Sequence, residues 1–138
     1  MDAFDADVLI YAALGVRPLG LPVAALFAAR TGAERTPRVG IGSTLLVPEV
    51  LTKPLRERAQ TEVTALAWFL ARLDLLPVDL AIADLAAVLG AKYRLRAADA
   101  VHLATAIQGG ADRFVTNNRK DFPRQIVELE VVYPSDLG

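Results

Sequence analysis

The chain has 138 residues, 54% apolar and 22% charged, enough to bury the core of one globular domain and too apolar for a disordered segment. Its formal charge of −1 removes any bulk basic footprint for nucleic acid, leaving only a local basic rim to serve that purpose. With no cysteine and one histidine, disulfides, thiolate nucleophiles, Cys–zinc sites and His-rich metal sites are excluded, and a reducing cytoplasm is the expected compartment. The apolar run 8–16 follows Asp2, Asp5 and Asp7 rather than a positive segment, so it does not read as an export signal, and no stretch approaches the ~20 residues of a membrane span.

In chain order, a very short strand ends near Asp5 and a helix follows from about Asp7, stopped by Gly15 and Pro18. A second helix covers residues 22–30, with Pro22 at its first position and Gly32 as its stop. Residues 38–42 read as a strand. Ser43 or Thr44 opens a helix that carries Pro48 in its first turn, then Glu49, and ends at Lys53-Pro54. Residues 56–73 form a helix with Val63, Leu66, Ala67, Leu70 and Leu73 on one face, 75–78 a strand, and 80–93 another helix. The stretch from Leu95 to Ile107 is a further helix, closed by Gly109-Gly110, and 113–116 and 129–133 are strands. Short apolar strands separated mostly by helices give an α/β domain, 1–138, with a mainly parallel sheet covered on both faces.

The helix from Leu95 to Ile107 is almost wholly apolar or small, yet Asp99 lies near its start, and of the positions one turn away, Leu95, Arg96, His102 and Leu103, the only Lys or Arg is Arg96, which falls in the preceding loop. A carboxylate among apolar residues is costly unless a backbone cap or a positive charge meets it. Asp5, Glu49, Asp99 and the Asn118/Asp121 region all fall at carboxyl ends of strands or in nearby helix turns, where open parallel sheets bind ligands. Acids gathered there repel one another, and a hard divalent cation with oxygen ligands relieves the repulsion. Such a metal makes hydroxide available near neutral pH and neutralises charge on a phosphodiester under attack.

Four stretches, in order, carry a resemblance: Phe4-Asp5-Ala-Asp7-Val-Leu-Ile-Tyr-Ala12, Ser43-Thr-Leu-Leu-Val-Pro-Glu49-Val-Leu, Arg96-Ala-Ala-Asp99-Ala-Val-His102-Leu-Ala-Thr-Ala-Ile107 and Gly110-Ala-Asp-Arg-Phe-Val-Thr116-Asn-Asn-Arg-Lys-Asp121-Phe122. Together they resemble the PIN-domain family, specifically its VapC-type toxins of toxin–antitoxin pairs. The resemblance implies a three-layer α/β/α sandwich with a five-stranded sheet in the order 3-2-1-4-5. It implies a Mg²⁺- or Mn²⁺-dependent endoribonuclease that leaves a 5′-phosphate and a 3′-hydroxyl, a homodimer, and an antitoxin that occupies the site. Asp5, Glu49 and Asp99 match the family's first three acids, and Thr116 matches the hydroxyl residue after the fourth strand. Asn118 stands where the family often has aspartate; either its neutral amide completes the set or Asp121 supplies the fourth carboxylate, at a position that in relatives also reads as a plain loop residue. Asp7 stands where Asn, Ser or Thr is usual, and either caps its helix or adds to the acid cluster.

On this reading Asp5, Glu49, Asp99 and Asp121 are the catalytic and metal-holding residues, while Thr116, Asn118, Ser43 and Asp7 support them or position substrate. His102 is a core or supporting histidine rather than a catalytic base. Arg94, Arg96, Arg119, Lys120 and Arg124 form a rim for RNA phosphates or a solvated surface. Tyr11, Trp68, Phe69 and Tyr93 are core or dimer contacts, and Asp74, Asp79 and Asp84 are exposed acids. The rival readings are a catalytically inactive PIN-like scaffold for protein or RNA binding, kept open by Asn118, and a phosphoacceptor domain of receiver type, which would need a late lysine that only Lys120 could provide.

Overall fold

A computed structural model describes residues 1–16, 18–30 and 38–137. Five short strands, β1 (Asp2–Phe4), β2 (Gly40–Ser43), β3 (Leu73–Leu76), β4 (Arg113–Val115) and β5 (Glu130–Val132), pair entirely in parallel in the order β3-β2-β1-β4-β5. The helices are α1 (Ala6–Leu14), α2 (Gly20–Arg30), α3 (Leu46–Arg56), α4 (Gln60–Leu70), α5 (Leu80–Tyr93) and α6 (Ala97–Gln108), with a 3₁₀ turn at Pro134–Asp136. Because side chains alternate across a strand, Phe4, Val115 and Val132 face a core built with α1 to α4, and Ala3, Phe114 and Val131 face a second core built with α5 and α6. The result is the three-layer α/β/α sandwich expected above, with the sheet order reversing beside β1.

The centre of the sheet tolerates little added volume. Gly40 pairs with Asp2, and a Cβ there would lie 2.2 Å from the Asp2 carbonyl oxygen and 2.7 Å from the Phe4 ring. Gly40→Ala is expected to cost about 1–3 kcal/mol through this overpacking, read as a lower urea midpoint with an unchanged slope.

Several boundaries differ from the sequence reading. The helix of 56–73 is α4 alone: Arg56 completes α3, Arg58 adopts a left-handed φ of 55°, and Leu73 opens β3 rather than ending a helix. Pairing decides this, since Leu73 lies opposite Gly40 and the Arg38 guanidinium donates to the carbonyls of Ala71 and Leu73 at 3.0 and 3.2 Å. The strand of 75–78 therefore moves two residues earlier. Helix α3 runs past Lys53-Pro54 to Arg56, because a proline so near the end deletes only one helical bond and its ring is buried. Helix α2 starts at Gly20, two residues before Pro22, and its expected stop, Gly32, lies outside the described residues. Helix α5 matches end for end, and Asp79 is its cap, accepting from the Ile82 N–H at 2.9 Å. Phe69 is core, edge-on to Phe27 at 4.8 Å, whereas Trp68 stays 38% exposed under the Arg72 guanidinium, 3.7 Å away. Among the described residues, no helix is long and apolar enough to cross a membrane.

Candidate active site

Asp5 is placed by the junction of β1 and α1. Its backbone N–H donates to the Val115 carbonyl at 3.0 Å, extending the β1–β4 ladder, and one carboxylate oxygen caps α1 by accepting from the Ala6 N–H at 2.8 Å. The other oxygen accepts from the Thr116 hydroxyl at 2.8 Å, and the Thr116 oxygen in turn accepts from the Asn118 N–H at 3.0 Å. The Asn118 side chain then grips Asp121 twice, donating to its carboxylate at 2.9 Å and accepting from its N–H at 3.2 Å. A hydrogen-bonded chain thus runs Asp5–Thr116–Asn118–Asp121 along the carboxyl ends of β1 and β4. Phe122 anchors its far end, fully buried with its ring centroid 4.9 Å from that of Phe114.

The helix starts supply the other acids. Asp7, in the first turn of α1, is not the cap the sequence suggested; Asp5 holds that position, and Asp7 accepts from the Asn117 N–H at 3.3 Å. Asp99 does not cap α6 either. It is the third helical residue, Arg96 is the N-cap, and the half-buried Asp99 carboxylate has no hydrogen bond or ion pair among the described residues. Glu49 projects from the first turn of α3 and meets His102 of α6, with Glu49 Oε1 and His102 Nε2 2.5 Å apart. Ser43 is buried, but its hydroxyl oxygen accepts from the Leu45 N–H at 3.1 Å and serves the turn into α3 rather than an acid.

Electrostatics tie these groups into one neighbourhood. Burial pushes the Asp5 carboxyl up, against the pull of His102, Thr116 and the Ala6 amide, and Glu49 pushes it further. Asp7 is pushed up to about 7, first by burial and then by the Asp5 charge, with Asp99 adding to it. Asp99 is raised by burial and then by Asp5, Asp121 and Glu49. Burial alone would lower His102, but the Glu49 hydrogen bond and the charges of Asp5, Glu49 and Asp99 carry it above its ordinary value. Three acids elsewhere that meet cations behave oppositely: Asp112, Glu128 and Asp136 are lowered by their hydrogen-bonded partners.

The donors are oxygens of the kind a hard divalent cation takes, and among the described residues none of Asp5, Asp7, Asp99 or Asp121 forms an ion pair with Lys or Arg. The set therefore fits such a cation chemically. It is not closed around one: among the described residues no three His, Asp or Glu side chains come together tightly enough to hold a metal as they stand. Mg²⁺ takes one or two carboxylates and keeps several waters, so a looser arrangement suits it.

The basic rim divides in two. Arg124 forks onto Asp136 at 2.8 and 2.9 Å, Arg119 donates to Ser135 at 2.9 Å, and both stack on the Tyr133 ring at 4.5 and 4.2 Å. Arg94, Arg96 and Lys120 are exposed and form no ion pair among the described residues. His102, read from the sequence as a core or supporting histidine, is both buried and a partner of Glu49, which the sequence did not name. Its signal was a lone imidazole on an apolar helix, one turn after Asp99.

No curated protein sequence matches the chain significantly. Among solved structures, the chain is similar to a toxin–antitoxin complex from Klebsiella pneumoniae, at 24% identity over 97% of this chain and 98% of that one, with a TM-score of 0.72. It is also similar to VapBC2 from Rickettsia felis bound to a promoter DNA fragment, at 19% identity over 96% and 97% of the two chains and a TM-score of 0.70. DNA-bound VapBC from Salmonella typhimurium matches at 17% identity over 96% and 97%, with a TM-score of 0.73. These likenesses carry the fold. The family model described as PIN domain matches residues 3–126, nearly the whole described chain, and the protein belongs to the PIN domain family.

Proposed function

We propose that the chain is a Mg²⁺- or Mn²⁺-dependent endoribonuclease and acts as the toxin of a toxin–antitoxin pair. One observation carries the reading: Asp5, Asp7 and Asp99 are buried or half-buried at the carboxyl edge of a PIN-domain sheet, all raised first by burial and then by neighbouring acids (Asp5 by Glu49, Asp7 by Asp5 and Asp99, Asp99 by Asp5, Asp121 and Glu49), with no Lys or Arg ion pair to them among the described residues. Repulsion of this kind weakens the fold unless a cation binds there.

Asp5 and Asp99 would hold the metal, with Glu49 and Asp121 completing the donor set. When bound, the cation supplies Lewis acidity at the phosphodiester and lowers the pKa of water. Thr116 fixes the rotamer of Asp5, and Asn118 fixes that of Asp121, so two acids are oriented before any ligand arrives. Asp7 adds negative charge beside Asp5. Arg94, Arg96 and Lys120 are free to take RNA phosphates, as point charges that carry no sequence preference.

The antitoxin partner is supported by the toxin–antitoxin content of the similar structures and by a groove of about 210 Å³ that reaches Glu49. Ile10, Leu14, Val50, Pro54 and Leu66 give it an apolar floor, and Glu49, Glu57 and Glu62 outnumber Lys53 among its charged lining residues, which leaves the rim net acidic. That combination suits an amphipathic helix with basic flanks. A homodimer working in the cytoplasm completes the proposal.

The purified chain, incubated with RNA, is expected to cut it with Mg²⁺ or Mn²⁺ and to stop on chelation, leaving 5′-phosphate ends. Cleavage that survives chelation overturns the metal-dependent reading. The inactive-scaffold reading rests on the open arrangement of the acids and on Asn118. It requires that Mn²⁺ give no carboxylate-dependent heat on calorimetric titration.

A further inference from the structure

His102 is 2% exposed on a helix whose other buried residues are Ala100, Leu103, Ala104, Thr105 and Ala106. Packing alone would be served better by leucine, because an imidazole brings two polar nitrogens into an apolar layer. One of them, Nδ1, has no hydrogen-bond partner. The other, Nε2, lies 2.5 Å from Glu49 Oε1, a residue 53 positions away in sequence. The two helices belong to different cores: α3 packs on the face with Phe4 and Val115, and α6 on the face with Ala3 and Phe114. The contact therefore ties the two helical layers together over the carboxyl edge of the sheet.

We propose that His102 is a positioning residue: its Nε2–H holds one carboxylate oxygen of Glu49 so that the other, Oε2, is presented to a divalent cation shared with Asp5 and Asp99. Nε2 faces a carboxylate and Nδ1 faces no acceptor, so Nε2 carries the proton whether the ring is neutral or charged. Oε2 forms no hydrogen bond among the described residues, which leaves it available. A free glutamate must give up rotamer freedom to join a metal site, and the imidazole removes that freedom beforehand. Partners that orient a metal-binding side chain in this way are worth roughly 10–100-fold in metal affinity. The inference rests on the metal-site reading above.

Isothermal calorimetry with Mn²⁺ tests it on the full chain, each variant first checked for native circular dichroism. Glutamine places its amide nitrogen close to the position of Nε2, whereas asparagine is too short to reach Glu49. His102→Asn is expected to weaken Mn²⁺ binding roughly 10–100-fold and His102→Gln to restore most of it. In a Glu49→Gln background the Asn and Gln variants should bind alike. His102→Leu, which packs well, should behave as His102→Asn and shows that polarity in the core is not the cause. Equal affinities for the Asn and Gln variants, whether both weak or both intact, overturn the proposal. Asp99→Asn, run alongside, separates the two levels: if it abolishes binding while His102→Asn does not weaken it, the positioning role alone fails, and if it too leaves binding intact, the metal reading fails with it.

Discussion

Asp99→Asn is expected to lose on the order of a hundredfold or more in RNA cleavage, the scale on which one preorganised charge-stabilising group acts, and yet to be more stable than the parent in metal-free buffer. Both outcomes have one cause. The Asp99 carboxylate sits among Asp5, Asp121 and Glu49 with no ion pair among the described residues, and burial and these acids outweigh the opposing pull of His102, so its charge weakens the apo fold. The gain is small, about 1 kcal/mol or less, because a half-exposed charge is screened by solvent. Asp5→Asn should match the loss of cleavage without the gain, since the buried Asp5 also caps α1 and receives the Thr116 hydroxyl. Cleavage assays at saturating Mg²⁺ and melting curves in chelator check both. A parental cleavage rate in either variant removes the nuclease reading.

The metal-free protein is expected to lose stability as pH rises from about 4 to about 7. Asp7 titrates near 3.8 when unfolded and at about 7 when folded, so across that window the native state holds a proton that the unfolded chain has released. Stability contributed by a raised acid is present below the unfolded value and is lost as pH climbs through the folded one. Asp5 and Asp99, also raised, act in the same sense. His102, raised above 6.5, adds stability that fades as pH passes its folded value, again in the same direction. For Asp7 the effect is on the order of 4 kcal/mol. The surface acids with lowered values, Asp112, Glu128 and Asp136, lose their contribution only as pH falls below their unfolded values of 3.8 to 4.5, so the two regimes separate. Urea unfolding at stepped pH should show the slope, Asp7→Asn should flatten it, and millimolar Mn²⁺ should flatten it in the parent. A parent profile that is flat without metal contradicts the electrostatic account.

What could be read from the chain alone was whatever is encoded locally. Helix α5 was legible end for end because its apolar spacing lies within it, although Asp79, read as an exposed acid, proved to be its cap. The strand-end positions of Asp5 and Thr116 were legible for the same reason. Leu73 was misread because its fate depends on Gly40 and Arg38, more than thirty residues earlier, and a helical period continued through it. Pro54 was misread because its burial, which offsets a lost hydrogen bond, is a tertiary fact. The links that organise the site lie furthest from local pattern: Thr116 to Asp5 spans 111 positions and His102 to Glu49 spans 53. No window of sequence contains both partners, so the supporting roles of Thr116 and His102 were legible but the acid that each one holds was not.

Strands β1 and β4 are three residues each, and at their amino ends the Arg113 guanidinium forks onto both oxygens of Asp2 at 2.8 and 2.9 Å. So short a ladder has few rungs to resist sliding, and a slip of one residue would turn every side chain to the opposite side. The fork is a peg against that slip. Alignment accuracy at the carboxyl edge is thus fixed from the far rim of the sheet, and Arg113, although remote from the acids, belongs among the positions where even a lysine would blur the geometry of Asp5.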